Sequence, residues 1–430
     1  MTAADTALKP QLGSNMRWRV AALLFVVTVI NYIDRQSLAV ASPVILEEFG
    51  LTTAQYGVIT SAFLIAYAIG QALSGQIIDR LGVKKAFSLA VFFWSLACMA
   101  HAVGRGFASF LTARAVLGLF ESANHPSAIK TISLWFPKLE RSLGVGIFLA
   151  GASLGAAIAP PLLGTIIFYF GWQMAFVVSG LLGFVWIALW LAFFHLPKDH
   201  PSISSSEREY ILAGQDGANG EAKRPPLKAM LARRDVIGLM LARFFGDNIF
   251  LFYTFWLPVY LSQDRGLNIL EIGYFAWVPF VFTDLGSLTA GWFGGKLMKM
   301  GFSLNASRKI MLWIAAALVP MSFFAVWVDE VLLAVLLIGF AMFFNQFKSV
   351  VVVGLPADLY PSHYVATIWG FLGAAGSLGG FIVSPIIGYV VESYSFVPVF
   401  IAISFFPALS ALIITLFVPQ IRMMDVAKDV

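Results

Sequence analysis

The sequence carries a single cysteine, Cys98, which excludes both a disulfide framework and a cysteine-based metal site. Histidine is scarce too: there are five, with no HExxH or CxxC pattern, so no metal site is expected. Charge is the third shortage. Asp, Glu, Lys and Arg together make up 12% of the chain, about half of the roughly 25% usual in soluble proteins. No pairing of a nucleophile with a base can be read, so neither an enzyme nor a cofactor is expected.

What fills the space is apolar. Hydrophobic residues account for 59% of the 430 residues, and Phe alone for 40 of them. A soluble fold cannot hide that much apolar side chain, so most of it must face lipid or other lipid-embedded helices. The net charge of +5 does not mark a nucleic-acid binder, because the bases lie in short loops between apolar segments.

A membrane-crossing helix needs about 20 apolar residues. Twelve such spans can be placed: 19–41, 54–77, 86–104, 107–130, 142–167 and 172–194, then 236–262, 270–296, 307–327, 331–352, 366–391 and 396–418. The first follows Arg17 and Arg19 and contains Ala39-Val40-Ala41, which imitates a signal peptide and its cleavage site. Asn31, Asp34 and Arg35 interrupt that run, and eleven further spans need an orienting first helix, so it is expected to stay. With both termini inside, 22 of the 28 Lys and Arg fall in cytoplasmic segments, two (Arg105 and Arg265) fall outside and four lie within spans. That bias predicts cytoplasmic termini. Residues 195–235 form a long hydrophilic stretch with 13 charged residues and a helix-start signal at Ser204-Ser205-Ser206-Glu207. The expected organisation is an all-α membrane protein. An N-terminal tail (1–18) leads to six helices (19–194), a cytoplasmic linker (195–235), six more helices (236–418) and a C-terminal tail (419–430).

Eight ionisable residues fall inside the spans: Asp34, Arg35, Arg114, Glu121, Arg243, Asp247, Asp284 and Lys348. At the bilayer centre each would cost about 2.5–3.5 kcal/mol on insertion scales, so they must pair or line a wet cavity. Seven of the eight sit on spans 1, 4, 7 and 10. Arg114 and Glu121 are seven apart and share a helix face, while Arg243 and Asp247 form an i, i+4 pair able to satisfy each other. Ion pairs that clamp helices together and a charged central cavity both remain open as readings.

Gly75-Gln76-Ile77-Ile78-Asp79-Arg80-Leu81-Gly82-Val83-Lys84-Lys85, between spans 2 and 3, resembles the signature loop of the major facilitator superfamily. Gly291-Trp292-Phe293-Gly294-Gly295-Lys296 after span 8 looks like its degraded counterpart, as an internal repeat requires. Further motifs resemble the anion:cation symporters within that superfamily, which include hexuronate, aldonate and aldarate carriers. They are Asn31-Tyr32-Ile33-Asp34-Arg35, the run from Arg114 through Gly118-Leu119-Phe120-Glu121, and Trp135-Phe136-Pro137-Lys138-Leu139-Glu140-Arg141. Phe255-Trp256-Leu257-Pro258, Asp284-Leu285-Gly286-Ser287 and Leu355-Pro356-Ala357-Asp358-Leu359-Tyr360-Pro361 look most like the hexuronate branch. The resemblance runs from about Met16 to Pro419. It implies twelve helices in two pseudo-symmetric six-helix bundles, with spans 1, 4, 7 and 10 around a central cavity.

The same resemblance implies roles. Arg35 and Arg114 match positions associated with the anionic substrate, and the planar guanidinium fork suits a carboxylate; partnership with Asp34 and Glu121 is the other reading. Asp34 and Glu121 match acidic positions used for proton coupling. Tyr32 and Tyr67 match substrate-contacting positions, each offering a ring and a hydroxyl, with Trp369 and Ser377 on span 11 as further candidates. Gly75, Asp79 and Arg80 of the signature loop, with Arg141, Arg243 and Asp247, are expected to serve gating or bracing. Two positions depart from the pattern. Ala152 stands where an aldonate carrier has Gln, and Lys348 stands where related sequences commonly have an aromatic. Lys348 is read either as a partner of Asp284, as snorkelling towards a helix end, or as a second anion contact suited to a dicarboxylate. Gly151-Ala152-Ser153-Leu154-Gly155 and Gly376-Ser377-Leu378-Gly379-Gly380 are small-residue patterns that permit close helix approach. Ala156 after Gly155 departs from the GxxxGPxxGG pattern of drug:proton antiporters.

The implied function is proton-coupled import of a hexuronate-type sugar acid (glucuronate or galacturonate) across a bacterial inner membrane by a monomer. Its partners are the small anion, protons and the bilayer. Aldonate or aldarate transport, exchange without proton coupling, and a non-transporting sugar-acid sensor are the alternatives.

Overall fold

Within a bilayer no water satisfies the backbone, and a helix is the form in which an apolar run satisfies its own N–H and C=O groups. The computed structural model describes residues 14–137, 140–213, 230–360 and 362–423. Lys138, Leu139 and Pro361 of the quoted motifs lie outside the described residues, as do 214–229 of the expected linker and most of both tails. In chain order the helices begin with α1 (Met16–Phe49), α2 (Thr53–Leu81), α3 (Val83–Ala100) and α4 (Phe107–Glu121). Then come α5 (Asn124–Trp135), α6 (Arg141–Phe170), α7 (Trp172–Phe193) and α8 (Ser205–Ala213). The series continues with α9 (Arg234–Gly246), α10 (Asn248–Gln263), α11 (Ile269–Phe275), α12 (Val278–Lys299) and α13 (Leu304–Leu318). It ends with α14 (Val331–Leu359), α15 (Ser362–Ser393), α16 (Phe396–Ser404) and α17 (Phe406–Phe417). No strand occurs among the described residues.

Eleven of the twelve expected spans correspond to helical stretches long and apolar enough to cross a membrane. The fourth, 107–130, differs: it divides into α4 and α5, of 15 and 12 residues, at Ser122 and Ala123. Pro126 explains the break, since it offers no N–H to Ser122 and its ring crowds that residue's carbonyl. Glu121 therefore ends a helix instead of sitting in the middle of one. The seventh span also breaks, at Asp247 between α9 and α10, with no proline nearby.

Small residues bring the backbones together. A methyl group on Gly151 or Gly155 of α6 would stand 2.5 and 2.6 Å from the carbonyl oxygens of Phe25 and Val29 of α1, so the small-residue pattern there sets the α1–α6 packing. On the other side, α2 runs along α15. Thr53 Oγ1 donates to the Gly388 carbonyl (3.1 Å), the hydroxyls of Thr60 and Ser384 are 2.5 Å apart, and the Ala54 N–H donates to Glu392 (3.0 Å). The Tyr56 hydroxyl reaches the Phe255 carbonyl of α10 at 2.6 Å, and Gly273 of α11 lies against Pro160 and Gly164 of α6. All these contacts between the first and second halves of the chain fall towards the end remote from Met16 and Phe417.

The expected linker contributes a docked element. Glu207 of α8 is fully buried, and accepts from the Ser14 hydroxyl (2.5 Å), the backbone N–H groups of Met16 (2.9 Å) and Arg17 (3.3 Å), and Arg17 Nη1 (2.8 Å). A carboxylate there satisfies donors that the first turn of α1 leaves free and meets the positive end of its dipole. Arg17 Nε also reaches Glu140 at 2.9 Å.

Candidate functional site

Asp34 and Arg35 are consecutive on α1, so their side chains diverge by about 100° around the helix. Arg35 turns towards α2 and α4, and Asp34 turns inwards to α3. The Arg35 guanidinium lies over the rings of Tyr32 (4.9 Å), Phe63 (5.3 Å) and Tyr67 (4.9 Å), and its Nε contacts Glu121 Oε2 at 3.3 Å. Three aromatic faces and one carboxylate thus hold a single cation, and both expected tyrosines belong to that cage. Its side chain is 15% exposed, whereas that of Glu121 is 0%.

Arg114 is placed differently. Its Nη2 donates to the backbone carbonyl of Arg35 at 2.7 Å, and its guanidinium lies over Phe63 (4.5 Å) and Phe255 (5.6 Å). Nε and Nη1 are buried without a hydrogen-bond partner. The second oxygen of Glu121 is likewise unpartnered. Phe255 belongs to α10, so the second half of the chain closes over an arginine of the first.

Asp34 makes no ion pair among the described residues. It is 0% exposed, its Oδ1 accepts from the Cys98 thiol at 3.5 Å, and its Oδ2 is buried without a partner. Of the two acids expected to pair with arginine, only Glu121 does so. The structure therefore gathers Tyr32, Asp34, Arg35, Tyr67, Arg114 and Glu121 around one locus, with a caged arginine, an arginine with free donors and two unlike carboxyl groups.

The other expected residues form a second group. Nε and Nη2 of Arg243 both reach Asp247 Oδ2, at 2.7 and 2.6 Å, and the guanidinium lies 5.5 Å from the ring centre of Trp369. Gly376 of α15 gives room for the Asp247 carboxylate, next to Ser377. Lys348 is 2% exposed, and its Nζ donates to the Gly246 carbonyl at 2.8 Å, an acceptor left over by the break at Asp247. Neither partnership with Asp284 nor snorkelling is what the structure shows: Lys348 is buried at helix α9, while Asp284 neighbours Ser153. In the signature loop, Asp79 pairs with Lys130 of α5 at 2.9 Å, and Gly75 and Arg80 are exposed. Arg141 donates to the carbonyls of Phe136 (3.2 Å) and Ser133 (3.3 Å), tying α6 to the end of α5.

Sequence reasoning missed Phe63, Phe255 and Cys98. An apolar side chain among so many carries no signal of its own, and Cys98 becomes informative only once its neighbour is known. No group of three or more His, Cys, Asp or Glu is placed to hold a metal ion among the described residues.

Comparison with known proteins identifies the family and the fold. Residues 24–384 match the Major Facilitator Superfamily pattern. The chain is 32% identical over 417 residues to the hexuronate transporter of Escherichia coli (strain K12), covering 96% of each protein. It is 30% identical over 448 residues to the probable galactarate/D-glucarate transporter GarP of the same strain, covering 99% of each. Among solved structures, a bacterial homolog of the human lysosomal transporter Spinster, in an inward-facing and occupied conformation, shares the fold with a TM-score of 0.76. That likeness covers 95% of this chain and 98% of the other at 17% identity. The chain belongs to the Major Facilitator Superfamily, as a multi-pass membrane transporter and not an enzyme.

Proposed function

We propose that the protein is a proton-coupled symporter that imports a hexuronate-type sugar acid, glucuronate or galacturonate, across a bacterial inner membrane by alternating access. The observation that carries this reading is Arg114, a buried cation with two free guanidinium donors beside an Arg35–Glu121 pair. A carboxylate is the ligand class that satisfies such donors bidentately. The hexuronate relative supports the substrate class.

In the proposed cycle the sugar carboxylate docks on Arg114 and Arg35, with Tyr32 and Tyr67 against the sugar face. Trp369, Ser377 and Lys348 act from the second half, through the group around Arg243 and Asp247. Asp34 and Glu121 carry protons. With Glu121 protonated, Arg35 is released from its acidic partner and becomes available to the anion. Loss of that proton re-forms the pair and expels the substrate. The two units that rock are 19–194 and 236–418, joined by 195–235, while Gly75, Asp79, Arg80 and Arg141 serve the gate. Termini in the cytoplasm, as the basic residues favour, make the closed end external and the conformation inward-facing.

Uptake of labelled glucuronate and galacturonate into proteoliposomes, with and without an inward proton gradient and with galactonate and galactarate as competitors, tests the proposal. Gradient-driven hexuronate accumulation is expected. Transport of galactonate or galactarate in its place would move the substrate to the aldonate or aldarate class, which the GarP relative favours. Sugar-acid binding without entry into sealed vesicles would indicate a sensor.

A further inference from the structure

We infer that Cys98 is a positioning residue for the proton of Asp34, its thiol providing the hydrogen bond against which that proton is held and released. The inference rests on the proposed role of Asp34 as a proton carrier.

Asp34 is buried, and its Oδ1 accepts from the Cys98 thiol at 3.5 Å, with the Trp94 indole also beside the carboxyl. The groups around it come from several elements. α3 supplies Cys98 and the Trp94 indole, and the 3-10 turn that follows it begins at the buried His101. α4 supplies Arg114 and Glu121, which act on Asp34 electrostatically without touching it. On α1 itself, Arg35 and Tyr32 are turned towards Glu121 and Tyr67. From α2, Tyr67 addresses Arg35 and Tyr56 donates to the Phe255 carbonyl. α6 presents the Ala156 carbonyl to Gln36, and α7 presents Ser179 to Ser37 and the Phe176 carbonyl to the thiol.

A thiol is a weak donor, so it supports an ionised Asp34 less than a hydroxyl or guanidinium would. It also has a second acceptor within reach, the Phe176 carbonyl at 3.7 Å. With Asp34 ionised, the thiol donates to Oδ1. With the proton on the unpartnered Oδ2, the carboxyl is neutral and the thiol turns to Phe176. The proton enters from outside water and leaves to inside water, and no other bond changes.

The test is the pH profile of proton-driven uptake in Cys98→Ser and Cys98→Ala. The stronger hydroxyl donor stabilises the ionised acid, so the serine variant should shift the profile to lower pH. The alanine variant removes the donor and should shift it to higher pH, each by about one pH unit. Substrate exchange at fixed pH should persist in both. Profiles that stay put, or that move the same way in both variants, would overturn the proposal. A second readout needs no cysteine variant: as the sole cysteine, Cys98 gives the only S–H stretching band. That infrared band should change with pH in the wild type and not in Asp34→Asn; a pH-independent wild-type band would contradict the proposal. If Asp34→Asn keeps full proton-driven accumulation, the proton-carrier reading itself fails. If that variant loses accumulation while the Cys98 variants keep the wild-type profile, only the role of Cys98 fails.

Discussion

Arg35 and Arg114 carry the same charge yet differ in what they have left to give. Arg35 is held by Glu121 and three rings, while Arg114 has one backbone acceptor and two free nitrogens. Arg114→Lys should therefore weaken substrate about 10- to 150-fold, the worth of a lost charge-assisted hydrogen bond, and Arg114→Ala should abolish uptake. The KM for initial-rate uptake checks this; an unchanged value in Arg114→Lys would remove Arg114 from the substrate site. The acids predict a different phenotype. Asp34→Asn and Glu121→Gln should preserve substrate exchange and lose uphill accumulation, measured as counterflow against gradient-driven uptake in the same vesicles. These four residues were legible because charge within an apolar span is costly enough to demand a reason. Which acid pairs with which arginine was not legible, since it depends on how far α4 is rotated and where Pro126 ends it.

At the scale of elements, apolar runs revealed where helices lie but concealed their breaks. Pro126 divides the fourth span, and the break at Asp247 frees the Gly246 carbonyl that Lys348 takes. The latter depends on a residue about a hundred positions away, which explains why local sequence could not show it. The helix-start signal at Ser204–Glu207 pointed correctly to α8, whereas its docking on α1 required the fold. Glu207→Ala leaves the first turn of α1 without its acceptor and Arg17 with Glu140 alone. The expected cost is about 2 kcal/mol, read as a lower thermal midpoint in detergent. An unchanged midpoint would mean that α8 does not brace α1.

For the whole molecule, the contacts of Thr53, Thr60 and Tyr56 with the second half make a seal at one end, which the proposed cycle requires to open. The Thr60 and Ser384 side chains already face each other across this seal, their hydroxyls 2.5 Å apart, so cysteines at both positions would bring two sulfurs within bonding reach. Thr60→Cys with Ser384→Cys, in a Cys98→Ala background, should cross-link on oxidation and stop uptake, with recovery on reduction. Uptake that persists in the fully cross-linked protein would show that this end need not open. The account as a whole turns on whether sugar acid and proton move together. Galacturonate added outside proteoliposomes loaded with a pH-sensitive dye, with no imposed gradient, should acidify the lumen in the wild type and leave it unchanged in Asp34→Asn. Galacturonate entry without acidification, or equal acidification in that variant, would contradict proton coupling through this site.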